Sequence, residues 1–518
     1  MASAPVDDDP FDMFGDSDDG SDQEMEVSRI AISLVERANR QAQNQQAPPK
    51  DGSTLPHFVD GDPNESLDLS AMDPLILPWK IPLYLGPMQL VASLPYGGGR
   101  GYVASRNLAA GTLVLVERPV ISLPTDQWGD QLDLCTVLSL FEHPNASQLI
   151  YDLEHFHPTK LAVDGMLESC SKEQVVDMLG SLRSQYQEDN DEPLRALTES
   201  SSERSLTNSD GSPITETDAL RILLSMRYNG LETGVYLHVA MLNHKDQPNC
   251  VKFLPTADKT YSEVRTTRSV AVGEPLTISY LPRILSHATR RKHLWEQHRF
   301  DLGADLPNSL RKMEQIATQQ PPSALSEWDE GSTTNRIEVA TAELEEIYQD
   351  ANEQVVDWQA LSSEGAEQAK ALEQASLELF IEALDQLQNE CHLLLIPCLR
   401  LHLDSCDLVQ RDPTLSASQR VQLLCRMVVT ARKLLALQER YHGRDHFDLA
   451  RTNLDVAQTI EELLATSSKA LVALALDGLG TPVSWSVLEH QSRKEYERIS
   501  RLYPHDAETF IESGIVGV

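Results

Sequence analysis

The chain has 518 residues, an ordinary 41% of hydrophobic residues and a formal net charge of −36. This length allows about two to four domains. The strongly negative charge argues against direct nucleic-acid binding, because phosphates are neutralised by clustered Lys and Arg. An acidic surface would attract basic protein segments instead, although the charge could equally serve solubility alone.

Residues 1–74 are predicted to be disordered. From Met1 to Glu26 the sequence has ten acidic residues and no Lys or Arg, so this stretch cannot bury enough apolar surface to offset its ordering entropy. An acidic N-terminus also differs from the basic signal and mitochondrial peptides, and no apolar run reaches the length of a membrane span. We therefore expect a protein of the nucleus, the cytoplasm or both, without membrane contacts.

An ordered domain is predicted to begin with residues 75–125, where short apolar runs next to Gly and Pro are typical of β-strands. The candidate strands are Gln89–Ala92, Tyr102–Ser105 and Thr112–Val116. Apolar residues at helical spacing then predict a helical insertion over residues 126–215. Within it, the acidic, Ser-rich stretch 187–213 is expected to be flexible.

Residues 216–305 return to a β pattern after one short helix near residues 219–226. The candidate strands are Val251–Leu254, Ser262–Arg265 and Leu276–Tyr280. A domain that combines such strands with a separate helical insertion is predicted to be of the α+β class.

The remainder of the chain is predicted to be helical, with a linker over residues 306–336, an all-α domain over 337–480 and a C-terminal tail over 481–518. The candidate helices are Ile337–Tyr348, Ala366–Leu395, Ala417–His442 and Ala450–Leu474. Helices of this length joined by short turns are typical of a bundle or of a TPR-like repeat array. No clean repeat period decides between the two.

Three polar or Gly-rich segments carry the candidate chemistry. They are Gly97–Tyr102 before a strand, Leu242–Cys250 between two apolar runs, and Gly273–Tyr280 leading through a strand. Glycines let the backbone approach a ligand closely, and Asn and His side chains offer donors and acceptors. Each segment by itself is better explained as a turn, a polar loop or a core strand.

Together the three segments resemble the signature of SET-domain protein-lysine methyltransferases. Asn-His-x-x-x-Pro-Asn from Asn243 and Gly-Glu-x-Leu-Thr-Ile-Ser-Tyr ending at Tyr280 follow the glycine turn in the family's order and spacing. The helical insertion and the helical C-terminal region resemble the SMYD type more narrowly. The resemblance implies SET-type β-sheets around a pseudoknot, followed by the all-α domain.

The resemblance also implies S-adenosylmethionine as the cofactor and Tyr280 as the catalytic residue, in one pocket. The cofactor-binding residues that it implies are Arg100, Gly101, Asn229, Asn243, His244 and Phe300. Methyl transfer from a sulfonium to an amine depends largely on alignment, and a lysine in an apolar channel beside a cation loses its proton more readily. We therefore assign neither His244 nor His298 as a general base.

The chain departs from the SMYD pattern in its metal ligands. The positions that correspond to the family's post-SET zinc cysteines are Asp246, Leu302, Ala304 and Pro307. The insertion contains only Cys135 and Cys170, too few for the family's MYND zinc finger, and the seven cysteines include no C-x-x-C pair. We therefore predict no metal-binding residues. His298 replaces a family tyrosine at the wall of the lysine channel.

Two functions are best supported by the sequence, and a third, a helical cargo adaptor, has less support. The first is an S-adenosylmethionine-dependent protein-lysine N-methyltransferase that acts on basic histone tails or other lysine-containing proteins. The residues whose retention favours it are Asn243, His244, Tyr280 and Phe300. The second is a catalytically inactive SET-fold scaffold that binds protein partners through its helical domain. The missing zinc ligands and His298 favour the second function.

Overall fold

Short strands dominate the first half of the described chain and helices the second half. The computed structural model describes residues 77, 79–92, 94, 99–122, 132–157, 176, 179–184, 192–203, 206–231, 234–253, 261–281, 284–298, 302, 308–314, 332–353, 361–466 and 484–503. Its combination of several small sheets with long helices confirms the predicted α+β class.

The described strands are short, between two and five residues each. They are β1 (Tyr84–Leu85), β2 (Met88–Val91), β3 (Gly101–Ala104), β4 (Leu113–Glu117), β5 (Ile121–Ser122), β6 (Gly230–Leu231), β7 (Gly234–Val235), β8 (Asn243–His244), β9 (Cys250–Phe253), β10 (Ser262–Thr266) and β11 (Thr277–Ile278). Five of the six predicted strands agree within a residue or two. The sixth, predicted over 276–280, is paired only at Thr277–Ile278.

The helices follow the strands and also fill the insertion. They are α1 (Leu132–Glu142), α2 (Ala146–Leu153), α3 (Glu192–Glu203), α4 (Glu216–Asn229), α5 (His287–His298), α6 (Asn308–Glu314), α7 (Thr333–Glu353), α8 (Ser363–Leu387), α9 (Leu395–Gln410), α10 (Ala417–His442), α11 (Asp448–Thr466) and α12 (Trp485–Ser500).

An antiparallel sheet in the order β1-β4-β10-β9 forms the centre of the first half. Every residue of β4 and β10 is buried, so both faces of the two central strands are covered. Three smaller sheets surround it. They pair β2 with β3, β5 with β7 and β6, and β8 with β11.

Buried Glu117, at the end of β4, holds the chain just before β8. Its carboxylate accepts the backbone N–H groups of Leu237, His238 and Val239 at 2.9–3.0 Å. Burial raises the pKa of Glu117 to about 7, although the three N–H donors favour the charged form. This carboxylate therefore positions the segment that enters the Asn-His motif.

Two stretches that composition marked as irregular contain helices. Helix α3 lies inside the stretch 187–213 that was expected to be flexible, because Leu197 is buried and Leu194 packs against the same core. Helix α6 lies inside the predicted linker, because Leu310 and Met313 are buried in the core of the helical half. A few apolar contacts outweigh the polar composition of both segments.

Consecutive helices from α7 to α12 pack against one another around a single apolar core. Helix α10 matches its predicted bounds, with a capping box at Ser416 and an end at Gly443, whose φ is 88°. The predicted helix 366–395 ends earlier, at Leu387, because Gln388 adopts a left-handed conformation. Helix α9 then begins separately. This packing is compatible with both a bundle and a TPR-like array.

The helical half closes against the central sheet. The Phe253 ring of β9 lies 5.4 Å from that of Phe447 and 5.7 Å from that of Tyr503. The Tyr503 hydroxyl donates to the Asp445 carbonyl at 2.7 Å. Helix α12, within the predicted tail, is thus part of the folded body. Among the described residues, no helix combines the length and apolar character needed to cross a membrane.

Candidate functional site

The parallel pairing of β8 with β11 brings the Asn-His motif beside the strand that leads to Tyr280. Asn243 is opposite Thr277, His244 is opposite Ile278, and the Lys245 N–H donates to the Ile278 carbonyl at 3.1 Å. The strand after the glycine turn joins them, because the Leu276 N–H donates to the Tyr102 carbonyl at 2.8 Å. The backbones of all three sequence motifs are therefore hydrogen-bonded side by side.

Asn243 ties its strand to the glycine turn. Its Nδ2 donates to the Arg100 carbonyl at 2.7 Å. A Cβ atom at Gly101 would lie only 2.6 Å from that Nδ2 and 2.6 Å from Leu94 Cδ1. Position 101 therefore requires glycine for this approach of Asn243.

Buried Asn249 connects the second and third motifs, a role that the sequence did not reveal. Its Nδ2 donates to the Pro275 carbonyl at 2.8 Å and to Glu274 Oε1 at 3.1 Å. Its Oδ1 accepts the Thr277 N–H at 2.9 Å. The signal was present in the Pro-Asn end of the motif, since a buried Asn must satisfy both donors and acceptors.

Tyr280 is held at both its backbone and its hydroxyl. The hydroxyl donates to the Leu242 carbonyl at 2.9 Å, and the backbone N–H donates to His244 Nδ1 at 3.0 Å. Burial raises the pKa of the phenol above its ordinary value. The hydroxyl therefore keeps its proton at neutral pH and acts as a hydrogen-bonding group.

The His244 side chain is engaged by the protein. Because Nδ1 accepts from Tyr280, the neutral ring carries its proton on Nε2, which lies 3.6 Å from Asp246 Oδ1. The side chain is buried, and burial lowers the pKa of the imidazole although Asp246 opposes this. The side chain is thus engaged within the protein, and the backbone of His244 is left to contact a ligand.

A buried ion-pair network continues from Asp246 into the helical half. Asp246 Oδ1 lies 2.9 Å from Arg290 Nε on α5, and an Arg290 terminal nitrogen lies 2.5 Å from Glu314 Oε1 on α6. The three side chains are 6%, 3% and 4% exposed. Burial alone would raise the pKa of Asp246, but His244 and Arg290 together lower it. Tyr441 also donates its hydroxyl to the Asp246 carbonyl at 3.1 Å.

Sequence reasoning missed this network. Asp246 was recognised only as the replacement for a family cysteine, and neither Arg290 nor Glu314 was singled out. The two partners lie on helices that the motif does not include, so no local spacing indicated the pairs.

His298 lies beside Tyr280, with ring centroids 4.8 Å apart. Its Nδ1 donates to the Tyr228 carbonyl at 3.1 Å in the tautomer that satisfies this contact. Burial lowers the pKa of His298 to about 4, so the ring is neutral at pH 7. His298, at the position that the resemblance assigns to a tyrosine, thus lies next to the Tyr280 ring.

Asn229 and Arg100 are near this group but use their side-chain donors within the protein. Asn229 Nδ2 donates to the His157 carbonyl at 2.9 Å and to the Ser225 carbonyl at 2.8 Å. The Arg100 guanidinium donates to the carbonyl of His155, two residues after the end of α2. A ligand at Asn229 would therefore meet its side-chain oxygen or its backbone.

The structure thus brings Gly101, Asn243, His244 and Tyr280 together through Arg100 and two adjacent strands. Asn229 joins the group indirectly, since its neighbour Tyr228 binds His298, which contacts Tyr280. The predicted adenine-packing residue Phe300 lies outside the described residues. Neutral amide, carbonyl and phenol groups dominate the cluster, a set suited to a cationic sulfonium.

Comparison with known proteins finds similarity over the same region. The family model of the SET domain matches residues 99–281. Human histone-lysine N-methyltransferase SMYD3 is 35% identical over 68 residues, which are 13% of this chain and 15% of that protein's length. Two solved structures are similar at TM-score 0.27, each covering 83% of this chain. One is the SET domain of LSMT bound to lysine and AdoHcy, with 12% identity over 92% of its length. The other is Rubisco LSMT bound to AdoMet, with 13% identity over 93% of its length.

Proposed function

We propose that this chain, which carries a SET domain over residues 99–281, is an S-adenosylmethionine-dependent protein-lysine N-methyltransferase. The observation that carries the proposal is the double anchoring of Tyr280, through its hydroxyl to Leu242 and through its backbone to His244. A phenol fixed at both ends can orient a substrate atom with the accuracy that group transfer needs.

Bound S-adenosylmethionine would supply a methyl group on an electron-poor sulfonium. The residues to hold it are the backbone of Arg100 and Gly101, the Asn243 side chain, the His244 backbone and Asn229. The close packing of Gly101 against Asn243 supports this assignment, because both residues present polar atoms at one narrow turn. Phe300 is proposed to pack against the adenine.

The Tyr280 hydroxyl performs the orienting step. Its proton is donated to the Leu242 carbonyl, so its oxygen lone pairs can accept an N–H of the substrate lysine. This contact would aim the nitrogen lone pair at the methyl carbon. The amine must be neutral, and desolvation beside a cation lowers its pKa. His244 takes no part as a base, because Nδ1 already accepts from Tyr280.

The substrate is proposed to be a basic protein segment, from a histone tail or another lysine-containing protein in the nucleus or cytoplasm. The net charge of −36 supports this class, since an acidic protein attracts basic partners and repels nucleic acid. The helical half is proposed as an additional surface for protein partners.

Two experiments test the proposal. The first is titration calorimetry of the full chain with S-adenosylmethionine. The second measures transfer of a radiolabelled methyl group to purified histones and to a mixture of other basic proteins. We expect binding and transfer, with Tyr280→Phe retaining cofactor affinity but losing about 100-fold in transfer rate. Tyr496→Phe, on α12, is the matched control and should leave transfer unchanged.

If the unmodified chain does not bind S-adenosylmethionine, the methyltransferase function is excluded and the catalytically inactive scaffold becomes the better-supported function. Unchanged transfer by Tyr280→Phe would show that the active site has been placed wrongly.

A further inference from the structure

Three side chains with metal-ligand chemistry meet in the core of the helical half, away from the SET domain. They are Glu373 of α8 and His402 and Cys406 of α9, and their ligand atoms all lie within 4.8 Å of one another. All three residues are buried. His402 and Cys406 are four residues apart on one helix, so they project from the same face.

The separations are close to those around a tetrahedral zinc ion. Cys406 Sγ lies 3.7 Å from His402 Nε2 and 4.0 Å from Glu373 Oε1. Zinc bonds of about 2.3 Å to sulfur and about 2.0 Å to nitrogen or oxygen place such ligand pairs about 3.5 Å apart. Shifts of a few tenths of an ångström would bring these two ligand pairs to that spacing, and the third pair, Glu373 with His402, lies within 4.8 Å.

The His402 ring is oriented as a metal-binding imidazole is. Ser376 Oγ donates its proton to the Glu373 carbonyl at 2.9 Å, so it accepts from His402 Nδ1 at 3.1 Å. The lone pair of Nε2 then faces Cys406. A hydrogen bond from the second ring nitrogen is the usual support of a metal-binding histidine.

The carboxylate of Glu373 lies at the edge of the cluster, beside Arg426. Glu373 Oε1 pairs with Arg426 at 2.8 Å, and the Arg426 side chain is 47% exposed. The same carboxylate oxygen thus faces both Cys406 and Arg426, so a metal ion would replace the half-exposed guanidinium as the cation beside Glu373. The alternative is a plain S–H···N hydrogen bond within an unmetallated core.

A second group of similar composition lacks this geometry. His442, His446 and Asp448 also lie close together, but the two imidazole rings are stacked at 4.0 Å with only 14° between their planes. One ion cannot lie in both ring planes of such a stack, so this group is not preformed for a metal.

We propose that Glu373, His402 and Cys406 bind one divalent ion of the zinc class that stabilises the packing of α8 on α9. Thiolate, imidazole and carboxylate together suit zinc better than magnesium or calcium. This departs from the prediction of no metal-binding residues, which rested on the family cysteines alone. The inference is independent of methyl transfer.

The test is metal analysis of the full chain purified without chelator. A chelator then removes the bound metal, and the metal-free chain is titrated with Co²⁺. We expect about one equivalent of zinc, and a cobalt–thiolate charge-transfer band on replacement. Cys406→Ser should abolish the band, and His402→Gln should lower the bound metal several-fold. Cys398→Ser is the control, because this buried thiol of the same helix contacts Thr341 instead.

Unmodified chain that contains no metal and develops no cobalt–thiolate band on titration would overturn the site, whether or not the variants fold. Equal metal loss in Cys398→Ser and Cys406→Ser would also overturn it.

Discussion

The Nδ1 atom of His244 accepts the backbone N–H of Tyr280 at 3.0 Å. His244 ends strand β8 and Tyr280 lies two residues after the parallel strand β11, so this bond fixes the segment from which the phenol projects. His244 thus acts on the proposed reaction through Tyr280, as a positioning residue.

Replacement of His244 by Ala should remove this acceptor and leave the Tyr280 N–H without it. A buried donor that loses its partner costs about 1–3 kcal/mol, and the tyrosine loses its orientation. We expect a kcat at least tenfold lower, about 1.4 kcal/mol in activation free energy, with a smaller change in the affinity for S-adenosylmethionine. Steady-state kinetics and calorimetry separate the two quantities. A kcat that falls only with the folded fraction, measured by circular dichroism, would contradict this role.

A Gly101→Ala variant should be destabilised by about 1–3 kcal/mol, as expected of an extra methyl group in a packed site. The new Cβ would lie 2.6 Å from both Asn243 Nδ2 and Leu94 Cδ1. Denaturant unfolding measures the loss. Gly180→Ala is the control, because Gly180 is helical and a Cβ there has no atom within 4 Å. This substitution should leave the free energy of unfolding unchanged or raise it. Equal stability of the two variants would show that the turn adjusts freely.

An Arg290→Met variant should lose about 3–5 kcal/mol, because it leaves two buried carboxylates, Asp246 and Glu314, without their cation. Changing all three residues together, with Asp246→Asn and Glu314→Gln, should restore much of this loss. Arg501→Met, at a side chain that is 79% exposed, should change stability by less than about 0.5 kcal/mol. Chemical denaturation of the four proteins tests this order. A triple variant as unstable as Arg290→Met would refute the charge explanation.

The buried His298 predicts a loss of stability in mild acid. The unfolded chain takes up a proton on this ring near its ordinary pKa of 6.5, and the folded protein only near 4. The contribution of neutral His298 to the free energy of unfolding is therefore complete above pH 6.5. It falls by about 3 kcal/mol in total as the pH drops toward 4. His298→Gln should flatten the pH dependence of unfolding across this range. A variant whose stability falls as steeply as that of the unmodified chain between pH 6.5 and 4 would contradict the prediction.

The sequence predicted the local features well because they depend on neighbouring residues. The apolar run of β4, the bounds of α10 and the order of the three motifs are all of this kind. Helices α3 and α6 were missed because tertiary burial of Leu197, Leu310 and Met313 outweighs their polar composition. The partners of Asp246 were missed because ion pairs between distant helices leave no periodic pattern.

The salt bridges of Arg290 to Asp246 and of Arg290 to Glu314 also determine where the protein can be divided. Both partners lie beyond residue 281, at which the match to the SET family ends. A fragment cut at that residue would retain a buried, uncompensated anion next to its Asn-His strand. The smallest unit that can fold by itself is therefore larger than the region that matches the SET family, and helices α5 and α6 belong to it.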